Sequence, residues 1–177
     1  MIRYQITNGL FRQSPEAWFR TLRDDVDFIQ IREKDMSAGE LADLVERVVR
    51  SSRVRILVND RIDVAIARGA AGVHLRSGSI SPARVKQLAP LIVTVACHSE
   101  DEVKQTEGAD YAILAPIFPP TSKPPERAPL GVETLRRAAH ASPVPLLALG
   151  GITNFNASEC IQAGAAGIAG IGLWSSV

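Results

Sequence analysis

The strongest constraint on the fold is a regular alternation of short apolar runs with longer amphipathic runs, which repeats eight times along the chain. Short apolar runs bounded by turn residues predict buried strands, and apolar residues spaced three and four apart predict helices. The predicted strands are Arg3–Thr7, Asp27–Arg32, Arg55–Val58, Gly72–His74, Ile92–Ala96, Tyr111–Ala115, Pro145–Leu149 and Gly167–Ile171. The predicted helices are Glu16–Arg23, Ser37–Arg50, Arg61–Arg68, Ser81–Leu88, Glu100–Glu107, Gly131–His140 and Asn154–Ala163.

Polar residues that precede these helices give their predicted starting points. Ser37, Ser81 and Asn154 stand where an N-cap residue is expected, because their side chains can accept a hydrogen bond from a backbone N–H of the first turn. Glu40 follows Ser37 by three residues, which is the spacing of a capping box.

Strands that alternate with helices predict parallel pairing with helical crossovers, hence an α/β fold. Eight such units favour a closed (βα)8 barrel of the TIM type over an open doubly wound sheet, which usually holds about five or six strands. We expect residues 1–177 to form this barrel as one small domain. The end of the eighth strand reaches to near Leu173 and only Trp174 to Val177 remain after it, so the final outer helix should be missing or vestigial. A second copy in a homo-oligomer would then cover the bare flank.

Composition excludes several classes of partner and compartment. The chain has 20 basic and 19 acidic residues, a net charge of +1, and no basic block, which argues against nucleic acid as a partner. No apolar run is long enough to span a membrane, and the first residues lack the apolar core of a signal peptide. Cys97 and Cys160 are interpreted as buried free thiols of a reducing compartment. These features together predict a cytoplasmic protein without a membrane partner.

The second predicted strand carries polar side chains at Gln30, Arg32 and Lys34. Side chains alternate along a strand, so these three are expected on one face. Such a face is costly to bury unless something anionic meets it. In a (βα)8 barrel the ligand site lies at the carboxyl ends of the strands. We therefore predict that these residues bind a phosphate or diphosphate.

Glycines at the ends of strands seven and eight add to this prediction. Gly150 and Gly151 join a strand to a helix, and Gly172 follows the last strand. Their backbone N–H groups could hold a phosphate at the same rim, although glycines also simply permit tight turns. Asp60, after Asn59, could cap the next helix or bind Mg²⁺.

The sequence does not decide the roles of two histidines, and it argues against several other classes of functional site. His74 and His98 could be bases or hydrogen-bonded structural groups, and His140 is expected in solvent. The chain has no zinc-type His/Cys spacing, no Gly-x-Ser-x-Gly elbow, no Walker loop, and no dinucleotide-type glycine motif after its first strand.

Six segments in register resemble the thiamine phosphate synthase/TenI family. They are Gln30–Lys34, Val58–Asp63, Gly72–Leu75, Gly108–Tyr111, Pro116–Pro119 with Lys123, and Ala148–Ile152. The resemblance covers essentially the whole chain, and it implies a (βα)8 barrel that acts in thiamin biosynthesis on small phosphorylated precursors. Synthases of this family join hydroxymethylpyrimidine diphosphate to thiazole phosphate and release diphosphate with Mg²⁺.

Roles carried over from the resemblance fall on residues of this sequence. It implies that Gln30, Arg32, Lys34, Asn59 and Lys123 contact the diphosphate, with Lys34 and Lys123 as the catalytic pair. Asp60 would bind Mg²⁺, and Gly151, in the turn with Gly150, would hold part of the thiazole phosphate. Ser122 conservatively replaces a threonine at the phosphate site, and Gly172 stands where the last strand normally offers a serine.

Departures from the family pattern keep three functions open. Ser79 replaces a second Mg²⁺-binding aspartate, so metal binding is expected to be weakened. Ala96 stands in place of a serine, and Pro120 in place of a phosphate-binding threonine. Synthase-type pyrimidine transfer is the leading function. The alternatives are a TenI-like thiazole phosphate tautomerase, whose expected histidine is Pro116 here, and a non-catalytic binder of thiazole or thiamin phosphate that acts as a regulator.

Overall fold

The structure, a computed structural model, describes residues 1–7, 9–119, 127–171 and 173. Within this part, parallel strands close into a barrel in chain order, with the last strand paired to the first. The strands are β1 (Ile2–Ile6), β2 (Phe28–Ile31), β3 (Arg55–Asn59), β4 (Gly72–Leu75), β5 (Ile92–Cys97), β6 (Tyr111–Leu114), β7 (Leu146–Ala148) and β8 (Gly167–Gly170). The helices are α1 (Pro15–Thr21), α2 (Ala38–Ser51), α3 (Ile62–Ala67), α4 (Pro82–Leu88), α5 (Glu100–Lys104), α6 (Gly131–Ala141) and α7 (Ala157–Gln162).

The predicted (βα)8 barrel is confirmed, and each predicted strand and helix has its counterpart. Ser37 forms the predicted capping box, in which its side chain accepts from Glu40 and its own N–H donates to that glutamate. Asn154 is wrong as the N-cap of α7. That helix begins later because Asn156 is its N-cap, and the Asn156 Oδ1 atom accepts from the Thr153 N–H at 2.8 Å.

The apolar core has an inner layer and an outer layer. Tyr4, Phe28, Leu57, Ile113 and Leu147 are buried together and fill the barrel. The alternate strand residues face outward beneath the helices, in one cluster under α1 to α4 and another under α5 to α7. Burying each large side chain contributes about 1.5–3 kcal/mol, so the closed sheet is a rigid support for its loops.

Parallel closure positions the functional rim. All strands run the same way, so the loops after their carboxyl ends gather at one mouth. In an eight-stranded barrel, β3 and β7 are four strands apart and therefore lie on opposite sides of that mouth. A molecule that contacts both loops must span the opening.

The remaining expectations on the fold have mixed outcomes. Cys97 and Cys160 are buried free thiols, as predicted, and burial raises their pKa values to about 12 and about 11. None of the helices in the described ranges has the length and apolar character that crossing a bilayer demands. Most residues after β8 lie outside the described part, so the missing final helix stays an expectation.

Candidate active site

Gln30 is the polar residue of β2 that points into the barrel, since it alternates with the inward-facing Phe28. Its side-chain Nε2 donates to the Asn59 Oδ1 atom of β3 at 2.8 Å. The Gln30 Oε1 atom is buried and has no hydrogen-bond partner among the residues that the structure describes. A buried acceptor left unpaired costs about 1–3 kcal/mol, so this oxygen marks a place where a ligand donor would fit.

Arg32 and Lys34 line one cavity of about 440 Å³ beside the ends of β2 and β3. They do so together with the intervening Glu33, because β2 ends at Ile31 and the alternation of a strand stops there. The predicted single face therefore does not extend past Gln30, and the two cations meet the cavity through the turn that follows. In the described part of the chain, neither cation forms an ion pair with an acid.

Glu33 is a positioning residue that sequence reasoning missed. It is buried, and its carboxylate accepts from the Thr7 hydroxyl and the Trp18 indole, each at 2.8 Å, and from the Phe11 N–H at 3.1 Å. The Thr7 hydroxyl also accepts from the Arg32 N–H at 2.9 Å. An acid inside a basic segment was the available signal, because a buried carboxylate needs several donors.

Asp60 lies at the end of β3, where its carboxylate is bound by Arg76 from the end of β4. The Arg76 Nε atom is 2.6 Å from Oδ2, and the Arg76 N–H donates to Oδ1 at 3.0 Å. The Asn59 Nδ2 atom is 3.3 Å from the same Oδ2. Asp60 has a φ of +58°, in the left-handed region, and its N–H donates to the His74 carbonyl at 2.8 Å. Its position is therefore fixed from both main chain and side chain.

His74 belongs to a hydrogen-bonded chain inside the barrel. Its Nδ1 atom is 2.8 Å from the Thr94 hydroxyl, which is 3.1 Å from the Tyr4 hydroxyl. Burial lowers the pKa of His74 to about 4, and the electrostatic effects of the neighbouring Arg32 and His98 act in the same direction. The ring is therefore neutral near pH 7, and this arrangement fits a structural histidine better than a base.

His98 follows β5 and is oriented differently. Its Nδ1 atom donates to the Ala115 carbonyl at 2.9 Å, since a carbonyl oxygen can only accept. The neutral ring then carries its lone pair on Nε2, where it could accept a proton. The Glu102 carboxylate accepts from the His98 N–H at 2.7 Å and so fixes the backbone.

Gly150 and Gly151 form the turn after β7, with φ values of +98° and +60°. A Cβ atom at Gly151 would lie 2.3 Å from the Pro119 carbonyl oxygen, so glycine is required for the close packing of the loop after β6. Within the described residues, the N–H groups of Gly150 and Gly151 donate to no acceptor. They are available to an anion, and their phosphate-binding role stays a prediction.

Several predicted site residues cannot be placed. Ser122, Lys123 and Gly172 lie outside the described residues, as does Pro120. Their predicted roles are therefore not tested by the geometry.

The arrangement around Asp60 does not fit the expected Mg²⁺ ion. Mg²⁺ prefers an octahedron of hard oxygens, usually with carboxylates among them. Arg76 and Asn59 already occupy the Asp60 carboxylate, and Ser79 stands where the second carboxylate is expected. Across the described ranges, no three His, Cys, Asp or Glu side chains form a group that could hold a metal. Asp60 as a metal ligand stays a prediction.

Comparison with known proteins identifies relatives along almost the whole chain. A family model described as thiamine monophosphate synthase matches residues 4–173. A putative thiamine-phosphate synthase 2 of Aquifex aeolicus is 39% identical over 165 residues, which are 90% of this chain and 88% of that protein. A thiamine-phosphate synthase of Chlorobium luteolum is 42% identical over 157 residues, or 85% of this chain and 74% of that protein.

A solved structure agrees with these relatives. The thiamine phosphate pyrophosphorylase of Pyrococcus furiosus superposes with a TM-score of 0.80 at 30% identity, covering 97% of this chain and 85% of that one. The matches confirm the predicted family and its barrel, and they place the chain among relatives named as synthases or pyrophosphorylases of thiamine phosphate. The chain therefore belongs to the thiamine monophosphate synthase family.

Proposed function

We propose that this protein catalyses synthase-type pyrimidine transfer, joining hydroxymethylpyrimidine diphosphate to thiazole phosphate with release of diphosphate. The observation that carries the proposal is the cavity at the ends of β2 and β3, where Arg32 and Lys34 form no ion pair with a described acid. Two unpaired cations at a barrel rim suit a diphosphate better than a monophosphate, because a diphosphate carries more charge to neutralise.

The chemistry needs charge stabilisation more than it needs a base. The bond between the pyrimidine methylene carbon and the diphosphate oxygen breaks, and its electron pair leaves with the diphosphate. The lone pair of the thiazole nitrogen then forms the new carbon–nitrogen bond. Cations held against the departing oxygens lower the barrier for the first step, and in this proposal Lys34 and Lys123 supply that stabilisation.

The second phosphate has a separate place in the proposal. Gly150 and Gly151 offer N–H groups that donate to no described acceptor, on the side of the mouth opposite β3, and Gly172 would complete this grip. The diphosphate would then contact Gln30 and Asn59 with the cations, and the thiazole phosphate would lie across the opening. This separation matches a reaction between two phosphorylated substrates.

Further expectations are part of the same proposal. Ser122 would contact phosphate, and the protein would act in the cytoplasm as one domain over residues 1–177, within a homo-oligomer. Mg²⁺ could enter only if Arg76 left the Asp60 carboxylate, because the Arg76 side chain occupies Oδ2 and its backbone N–H occupies Oδ1.

A coupled assay with both precursors, with and without Mg²⁺, tests the proposal. The double variant Arg32→Gln, Lys34→Gln should lose activity by roughly 100-fold or more, since two charged contacts to the leaving group are removed. Lys104→Gln is the matched control, because Lys104 pairs with Asp101 on the exposed face of α5. No turnover by the unaltered protein at high enzyme concentration would refute the proposal.

His98 favours a second candidate, the thiazole phosphate tautomerase. Its Nε2 lone pair follows from the bond between Nδ1 and the Ala115 carbonyl, and a tautomerase needs one such base. In that case the protein should speed aromatisation of the thiazole phosphate tautomer, and His98→Ala should abolish the effect while His140→Ala leaves it unchanged. If neither reaction occurs but thiazole phosphate raises the melting temperature, the protein is a binder.

A further inference from the structure

The ion pair between Asp60 and Arg76 stands where the family pattern predicts a metal. Arg76 reaches the carboxylate through its Nε atom and its backbone N–H. The arginine side chain is 77% exposed and that of Asp60 is 20% exposed. The Arg76 Nη groups have no partner among the residues that the structure describes. They can therefore donate to something outside the present contacts.

The charges around the cavity favour an anion. Its charged lining consists of the cations Arg32, Lys34, Arg61 and Arg76 and the acids Glu33 and Asp60. Glu33 keeps its negative charge, and its carboxylate accepts three hydrogen bonds from the loop after β1 and from α1. Arg61 is held by Asp63, with its Nε atom 2.8 Å from Oδ1. With Arg61 set aside, the three cations Arg32, Lys34 and Arg76 face the two carboxylates of Glu33 and Asp60, which leaves one positive charge in excess.

We propose that Arg76 takes the place of the divalent cation, so that this protein binds the diphosphate group without Mg²⁺. Asp60 then acts as a positioning residue. It holds Arg76 through Nε and leaves both Nη groups to donate in parallel to phosphate oxygens, the fork geometry that guanidinium groups prefer. Arg32 and Lys34 supply the remaining positive charge. This inference rests on the proposed function for the identity of the ligand.

A metal at this place would have to displace Arg76 from two contacts with the carboxylate. It would also lack the second carboxylate, since position 79 is a serine. A guanidinium is always charged and needs no dehydration of a tightly hydrated ion, whereas Mg²⁺ dehydrates reluctantly. The same pair of positions, 76 and 79, would therefore decide whether the site uses a metal or an arginine.

Calorimetric titration with inorganic diphosphate tests the proposal on the full chain. The unaltered protein should bind with the same affinity, within about threefold, in EDTA and in Mg²⁺. Arg76→Gln should weaken binding in EDTA by at least about tenfold, the effect of losing a charged, forked contact. Arg84→Gln on α4 is the matched control, because Arg84 is exposed and outside the cavity, and it should bind like the unaltered protein. Melting temperatures of all variants should agree, which shows that they fold.

A converse variant sharpens the test. Arg76→Gly combined with Ser79→Asp should lose diphosphate binding in EDTA and recover it with Mg²⁺, and it should bind Mn²⁺ detectably by electron paramagnetic resonance. Strict dependence of the unaltered protein on Mg²⁺, absence of diphosphate binding in both buffers, or unchanged binding by Arg76→Gln would each overturn the inference. Mg²⁺-independent binding without turnover would refute only the proposed function. Turnover that strictly requires Mg²⁺ would refute only this inference.

Discussion

Glu33 joins the fold to the candidate site, and replacing it with glutamine tests that connection. The carboxylate is buried between the loop after β1, helix α1 and the turn that carries Arg32 and Lys34. Glutamine has nearly the same shape but no charge, and one of its two terminal atoms is a donor. The substitution therefore removes hydrogen bonds while leaving the volume of the core unchanged.

The expected loss follows from the three contacts of Glu33. A glutamine oxygen can still accept from Thr7 and Trp18, which share one carboxylate oxygen, but each bond falls from about 2 to about 1 kcal/mol when the acceptor loses its charge. The Phe11 N–H would face an NH₂ group, and leaving that donor unpaired costs about 1–3 kcal/mol. Glutamine also avoids the cost of burying a charge, which offsets part of this destabilisation. We therefore expect the free energy of unfolding to fall by about 3 kcal/mol in total.

Thermal and guanidinium unfolding measure this loss directly. For a chain of this length, about 3 kcal/mol corresponds to a fall of about 6–12 °C in melting temperature. Glu16→Gln is the matched control, because Glu16 is exposed and its oxygen is 3.9 Å from its Arg20 partner, and we expect it to change stability by less than about 0.5 kcal/mol. Diphosphate affinity should fall with Glu33→Gln as well, since Arg32 and Lys34 lose their anchor. Equal melting temperatures for the two variants would refute the reasoning.

Three further predictions concern local structure. Ser37→Ala should destabilise the protein by about 1 kcal/mol, while Ser81→Ala, whose side chain makes no capping bond, should cost less, both measured by denaturant unfolding. The free energy of unfolding should fall by a few kcal/mol as the pH drops from about 6.5 to about 4, because His74 is protonated in the unfolded chain and stays neutral in the folded chain. His74→Gln should lack this dependence of stability on pH. An unchanged dependence would contradict the assignment of the effect to His74. Gly151→Ala should lower the melting temperature strongly, since the new Cβ would overlap a carbonyl oxygen. Gly39→Ala, at an open position of α2, should instead raise the free energy of unfolding by about 0.5–1 kcal/mol and the melting temperature with it.

Periodicity was enough to predict the barrel because every strand is buried on both sides. Ile29 and Ile31 face the helices while Phe28 fills the barrel, so β2 is a continuous apolar run apart from Gln30, as a strand in a parallel sheet should be. Eight such runs with amphipathic segments between them leave few other ways to cover all the apolar faces. The starts of helices were harder to predict, and Asn154 was mistaken for a cap because two asparagines lie two residues apart.

The sequence predicted which residues lie near the candidate site better than it predicted how their side chains are arranged. Gln30, Arg32 and Lys34 do come close to Asn59 and Asp60 at one rim. The strand rule failed beyond Ile31 because β2 ends there and is followed by a turn, in which Glu33 is buried and hydrogen-bonded by Thr7 and Trp18. No sequence period encodes that turn, since it depends on donors from two distant segments, Thr7 and Trp18.

The contact between Arg76 and Asp60 could have been predicted from the sequence. Arg76 is the first residue after β4, and no role was predicted for it. The register pairs Asn59 with His74, so Asp60 and Arg76 are each the first charged residues beyond two adjacent strand ends. Opposite charges placed this way are expected to meet. In the site that we propose, the missing carboxylate at position 79 and the guanidinium at position 76 are one change of charge, which exchanges a metal that needs two acids for a cation that needs one.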